Sequence, residues 1–168
     1  SKVVYRLAKG LQKANSAVLR FNFRGVGRSS GTYDGGVGEQ DDLRAALECL
    51  ARHHPGLPLE VAGFSFGARV ALGVSCRDTH IGRCLAVGTP VSHGGWDFLV
   101  RCSRPKFFLH STNDEYGSRD TMEQIFARVA TPKTLLWIES SDHFFNGGLD
   151  ELENAAYKAI TADITPCA

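Results

Sequence analysis

The chain lacks a charge bias. Its 168 residues carry 19 Lys and Arg against 18 Asp and Glu, a formal net charge of +1. That balance gives no electrostatic case for nucleic acid or for an acidic membrane surface. The longest basic cluster, Arg52-His53-His54, suits the C-terminal end of a helix. Long apolar runs are also missing, so no segment reads as membrane-spanning. No signal peptide is visible at the start, although the chain begins at Ser1 rather than at a methionine. Internal repeats and low-complexity tracts are absent. The five cysteines, Cys49, Cys76, Cys84, Cys102 and Cys167, are odd in number and contain no CxxC spacing. A zinc site or a disulfide framework is therefore not expected, and a reducing, cytoplasmic setting is. Buried thiols would then act as small hydrophobes.

What remains is ordinary globular composition, 43% apolar and 22% charged, in a length suited to a single domain spanning 1–168. Helical and strand-like stretches alternate, which predicts an α/β domain with a mostly parallel sheet. Val3, Val4, Leu7 and Leu11 fall at helical spacing within 2–14. Residues 16–23, SAVLRFNF, alternate and are rich in β formers, so they read as a strand. A Gly-rich loop follows from Gly25 to Gly38. Glu39 to His54 has an acidic start and a basic end, as a helix dipole favours. Further strands are expected at 59–63, 83–87, 106–110 and 134–138, making five with 16–23. Helices are expected at 66–76, 121–129 and 149–162.

The segment LEVAGFSFGARVAL (59–72) carries the strongest chemical signal. A strand ends, Ser65 occupies a sharp turn, and a helix begins. Gly63 and Gly67 flank the serine at i−2 and i+2, where a missing Cβ lets strand and helix approach. Such a turn exposes the hydroxyl at the edge of the sheet and aims the Phe66 N–H at a developing oxyanion. The bland alternative is a small residue in a tight packing turn.

A serine needs a base, and the base needs an orienting carboxylate, in the chain order Ser, acid, His for this kind of turn. The strand 105–110 runs into Ser111-Thr112-Asn113-Asp114-Glu115. Asp114 fits best as the acid; Glu115 is its nearest competitor, with Asp120 and Asp97 further away. His143 is the sole histidine placed after Asp114. His110 lies inside a strand and reads as a packed core histidine. His53 and His54 precede the nucleophile, and His80 and His93 precede the acid.

Two tempting motifs are set aside. Gly25-Val26-Gly27-Arg28-Ser29-Ser30-Gly31 lacks the spacing of a dinucleotide fingerprint and the Gly-Lys-Ser/Thr ending of a phosphate loop. It reads as a structural turn, with Arg24 and Arg28 pairing with Asp41 or Asp42 in preference to the alternative, contact with an anionic substrate. His93-Gly94-Gly95-Trp96 has the composition of an oxyanion motif but follows the nucleophile instead of preceding it. With Asp97 and Phe98, Trp96 is expected to line the substrate pocket; the equal alternative for Trp96 is a hydrophobic lid over the sheet edge.

Taken together, the blocks LRFNFRGVGRSSGTYDGGVGEQDDLRAAL (19–47), VAGFSFGARVAL (61–72), HSTNDEYGS (110–118) and SSDHFF (140–145) resemble small, lidless bacterial α/β-hydrolases near the dienelactone-hydrolase-like branch. The resemblance implies a three-layer α/β/α sandwich and ester hydrolysis by Ser65, Asp114 and His143, with no metal or organic cofactor. It also implies an N-terminally incomplete chain. Such relatives carry earlier strands and a His-Pro-containing loop that supplies a second oxyanion N–H. Their acid loop commonly reads Gly-Asp-x-Asp, where this chain has Ser111-Thr112-Asn113-Asp114. The partner expected is a small-molecule ester, with neither nucleic acid nor membrane. A catalytically impaired binding module, and a thioesterase or peptidase on the same scaffold, stand as alternatives. Nothing in the residues fixes an oligomeric state.

Overall fold

The computed structural model describes residues 1–164. Its elements are α1 (Lys2–Lys13), α2 (Gly38–His53), β1 (Leu59–Phe64), α3 (Phe66–Ser75), β2 (Ile81–Val87), β3 (Lys106–Ser111), α4 (Arg119–Arg128), β4 (Lys133–Ile138) and α5 (Leu149–Thr161). Two short 3-10 turns, Val91–His93 and Asp97–Arg101, link β2 to β3. The strands form one parallel sheet in the order β1-β2-β3-β4.

Successive side chains of a strand point to opposite faces, and a parallel sheet buries both. The central strand β2 obeys this. Cys84 and Ala86 join Val61 and Phe108 against Leu43, Leu47, Leu72 and Met122 on α2, α3 and α4. Leu85 and Val87 join Phe107, Leu109 and Ile138 against Val3, Leu7, Leu152 and Ala156 on α1 and α5. The result is the three-layer α/β/α sandwich expected. On the α1/α5 side the buried Glu153 accepts from Arg6 and Lys13, both at 2.6 Å. Those two cations hold its carboxyl below the usual glutamate range, so the helix pairing weakens as pH falls through that lowered value.

Two expectations need correction. Residues 16–23 form no strand: they run without any ladder partner. The β formers are present, but a strand exists by pairing its backbone with a neighbour. Here the free edge of β1 lies across an apolar slot of about 660 Å³, lined by 15–23 on one side and 57–67 on the other. Leu7 and Leu11 of α1 and Leu43 and Leu50 of α2 close its two faces. Leu19 and Phe21 are accordingly left exposed.

The second correction concerns cysteine. Cys76, just past α3, and Cys102, just past the second 3-10 turn, form a disulfide. Two residues 26 apart in sequence, with no diagnostic spacing, become neighbours because the β2–β3 connection folds back over α3. The bond removes the ground on which a reducing compartment was expected. Cys49 and Cys84 are free thiols, and Cys167 lies outside the described residues. Among the described residues no helix is long and apolar enough to cross a membrane.

Two outcomes are expected. The native chain should enhance anilinonaphthalene sulfonate fluorescence without denaturant, because the slot offers apolar surface; no enhancement would mean that the slot is closed in solution. Non-reducing peptide mapping should recover a Cys76–Cys102 cross-linked fragment, and the Cys102→Ser variant should lose roughly 3 kcal/mol of stability.

Candidate active site

The carboxyl ends of three strands converge on one point. Ser65 follows β1, Asp114 lies in the loop after β3, and His143 lies in the loop after β4. The crevice at the carboxyl edge of an open parallel sheet is where ligands of such folds bind.

Ser65 adopts φ 55° and ψ −117°. A non-glycine residue there is strained by roughly 1–3 kcal/mol, and the surroundings must impose the conformation. They do so from both sides. The Ser65 N–H donates to the Val87 carbonyl at 2.9 Å, extending the β1–β2 ladder, while its own carbonyl accepts from Ala68 and Arg69 to begin α3. Serine is thus fixed between sheet and helix.

The two flanking glycines have unequal roles. A Cβ on Gly63 would lie 2.1 Å from the Gly67 carbonyl oxygen, an impossible contact with backbone. A Cβ on Gly67 would meet only the edge of the Phe23 ring at 3.9 Å. The close approach expected of both therefore depends on Gly63 alone.

Ser65 Oγ lies 2.9 Å from His143 Nε2, and His143 Nδ1 lies 2.8 Å from Asp114 Oδ2. The serine hydroxyl can donate to Nε2 only if the imidazole proton is on Nδ1, the nitrogen facing the carboxylate. Asp114 and His143 are buried, at 4% and 2% exposure. Asp114 Oδ1 accepts from the Tyr116 N–H at 2.8 Å, so each carboxylate oxygen has a partner. The competitor Glu115 faces elsewhere and accepts from the His143 backbone N–H at 2.9 Å, steadying the loop. Asp120 lies in the first turn of α4, and the imidazole's hydrogen bonds go to Asp114 and Ser65 instead.

Aromatic rings hold the imidazole on three sides. Ring centroids of Tyr116, Phe64 and Phe144 stand 4.8, 4.9 and 5.4 Å from that of His143. His110 is fully buried; its Nε2 donates to the Gly117 carbonyl at 2.7 Å and its Nδ1 has no partner among the described residues. Burial pushes its pKa below the ordinary histidine value. A neutral ring 3.7 Å from Asp114 Oδ2 leaves the aspartate's charge to His143.

The Phe66 N–H sits at the first position of α3, where backbone donors have no partner within the helix and the macrodipole favours negative charge. Above it opens a cleft of about 600 Å³. Its wall combines Tyr33 and Gly35 from the Gly-rich loop, Phe64, Phe66 and Arg69 from the elbow, and Pro90, His93, Gly94, Gly95, Tyr116 and Phe144 from the loops after β2, β3 and β4. The Gly-rich loop is held by Glu39, which accepts the Asp34 and Gly36 N–H groups, both at 2.8 Å. Arg24 clasps Asp42 at 2.8 Å, a structural pairing as expected; Arg28 makes none among the described residues.

Trp96, Asp97 and Phe98 do not line this cleft, contrary to expectation. Trp96 turns inward and is 4% exposed, Asp97 pairs with Arg128 on the outer surface, and Phe98 packs on the core. Positive φ angles at Gly94 and Gly95 turn the chain so that the glycines meet the cleft and the tryptophan goes beneath it. Sequence reading missed Arg69, Tyr116 and Phe144. The signal for Arg69 was its spacing, four residues and so one helical turn after Ser65.

Comparison with known proteins agrees with this architecture. Residues 1–159 match the family model described as an alpha/beta hydrolase domain, and the chain belongs to that family. The Rickettsia prowazekii protein RP471 is 36% identical over 164 residues, 92% of this chain and 69% of that protein. An alpha-beta serine hydrolase homologue from Coxiella burnetii superposes with a TM-score of 0.89 at 32% identity, over 95% of this chain and 76% of that one. A lidless serine hydrolase from Xanthomonas campestris gives 0.85 at 33% identity, over 95% and 72%.

The glycine asymmetry is directly testable. Gly63→Ala should cost roughly 1–3 kcal/mol or more through forced separation of β1 and α3. Gly67→Ala should be neutral or stabilising by up to about 1 kcal/mol, since alanine favours a helix. Thermal unfolding of the two variants checks this, and equal losses would show that the elbow needs both glycines.

Proposed function

We propose that the chain is a serine hydrolase acting on small carboxylic esters. The observation that carries this reading is the unbroken line of hydrogen bonds from Ser65 Oγ through His143 to Asp114, at 2.9 and 2.8 Å. In this reading His143 Nε2 takes the hydroxyl proton as Ser65 Oγ attacks the substrate carbonyl. Asp114 stabilises the imidazolium that results. The Phe66 N–H donates to the oxyanion of the tetrahedral intermediate. His143 then returns the proton to the leaving alcohol, and an acyl-enzyme remains. Water repeats the sequence from the other side, with His143 again as base, and releases the acid.

The aromatic cleft of about 600 Å³ supports a small, partly apolar acyl or alcohol portion. The same steps would serve a thioester. Relatives at 32–33% identity that are described as serine hydrolases support the reaction class rather than a particular ester. A non-catalytic binding module is favoured by one observation: Phe66 N–H is the single oxyanion donor identified among the described residues. Lacking one donor costs roughly 100- to 1000-fold in turnover, which leaves measurable catalysis, so the hydrolase reading is preferred.

A fluorophosphonate probe should label the native chain and not Ser65→Ala. Labelling of both proteins, or of neither, removes Ser65 as nucleophile. His143→Ala should lower p-nitrophenyl acetate turnover by roughly 100- to 10,000-fold. An unchanged rate would take His143 out of the mechanism.

A further inference from the structure

Arg69 rises from α3 one helical turn after Ser65 and forms part of the same cleft wall. Its guanidinium lies 4.0 Å above the Trp96 ring. Because Trp96 is only 4% exposed, the ring is a fixed floor. One hydrogen bond, from Nη2 to the Gly94 carbonyl at 2.6 Å, sets the group's orientation. A guanidinium has five N–H donors, and this is the one hydrogen bond it makes among the described residues.

No carboxylate among the described residues pairs with Arg69. Arg6, Arg24, Arg83 and Arg128 each meet an aspartate or glutamate. Arg69 is instead half-buried, among Tyr33, Phe64, Phe66, Pro90, Tyr116 and Phe144. Withdrawing a cation from water without a counter-charge is unfavourable. Burial indeed pulls its pKa below the ordinary arginine value. A neutral side chain such as glutamine would hold the Gly94 carbonyl without that cost. Among the described residues the charge meets the face of the Trp96 ring and no carboxylate, while its remaining donors form a planar fork suited to a carboxylate.

We propose that Arg69 is the anion-recognition residue of the cleft, and that the preferred substrates are esters bearing a carboxylate. A half-ester of a short dicarboxylic acid carries both an ester and a free carboxylate within one small molecule, so monoethyl adipate is a fitting probe. The identity of the reacting groups rests on the hydrolase reading above; the anion subsite itself does not.

The test compares kcat/KM for monoethyl adipate, an anion, with diethyl adipate, its neutral counterpart. The native chain should favour the anion by roughly tenfold, the increment of one charge-assisted hydrogen bond. Arg69→Gln should remove that preference, and Arg69→Lys should keep part of it. A purely structural Arg69 would move both rates together and leave their ratio within twofold or so of the native ratio, which overturns the proposal. A binding arm separates it from the hydrolase reading. In Ser65→Ala, calorimetry should find monoethyl adipate bound more tightly than diethyl adipate, with the difference lost on adding Arg69→Gln. If the native chain turns over neither ester yet this difference is found, the hydrolase reading fails and the anion subsite stands. Equal binding of the two esters overturns the subsite.

Discussion

The contact on which the rest depends is the near-touching of β1 and α3, where the Gly63 Cα faces the Gly67 carbonyl. There is no room there for a methyl group. That closeness forces the chain to reverse within one residue, and the residue that reverses is Ser65, at φ 55°. The strain is held by ordinary backbone bonds, one to β2 and two at the head of the helix. Three consequences come from this single constraint. The hydroxyl stands at the sheet's carboxyl edge, the Phe66 N–H is left without a helical partner, and Arg69 is delivered one turn away on the same wall.

A second layer of order surrounds the imidazole. His143 lies in a loop, the kind of segment that is ordinarily mobile. Here it is pinned by Asp114 on one nitrogen, by Glu115 on its backbone N–H and by three aromatic rings. Sharing of duties between adjacent acids explains why Asp114 and Glu115 stand side by side: one meets the ring, the other meets the chain that carries the ring.

Much of this was legible in the sequence for local reasons. The elbow was readable because a strand, a turn and a helix each leave their own pattern within fourteen residues (59–72), and chain order then singled out Asp114 and His143. What was not legible depended on distant neighbours. SAVLRFNF has the composition of a strand, yet pairing is a property of two segments, and its neighbour across the slot is too far away. Cys76 and Cys102 meet only because of how the β2–β3 connection folds. Trp96 was misplaced because two positive-φ glycines reverse its direction, which composition alone does not reveal.

The strand order carries one more consequence. β1 and β4, which lead into Ser65 and His143, are the two outermost strands of the paired sheet, and β3, which leads into Asp114, lies between them. The hydrogen-bonded line therefore spans the sheet from margin to margin, drawing on residues 65, 114 and 143. Fraying at either margin would part the serine from the imidazole well before the hydrophobic layers came apart. The distance between these two side chains is thus a gauge of the whole sheet's integrity, read out at a single pair of atoms.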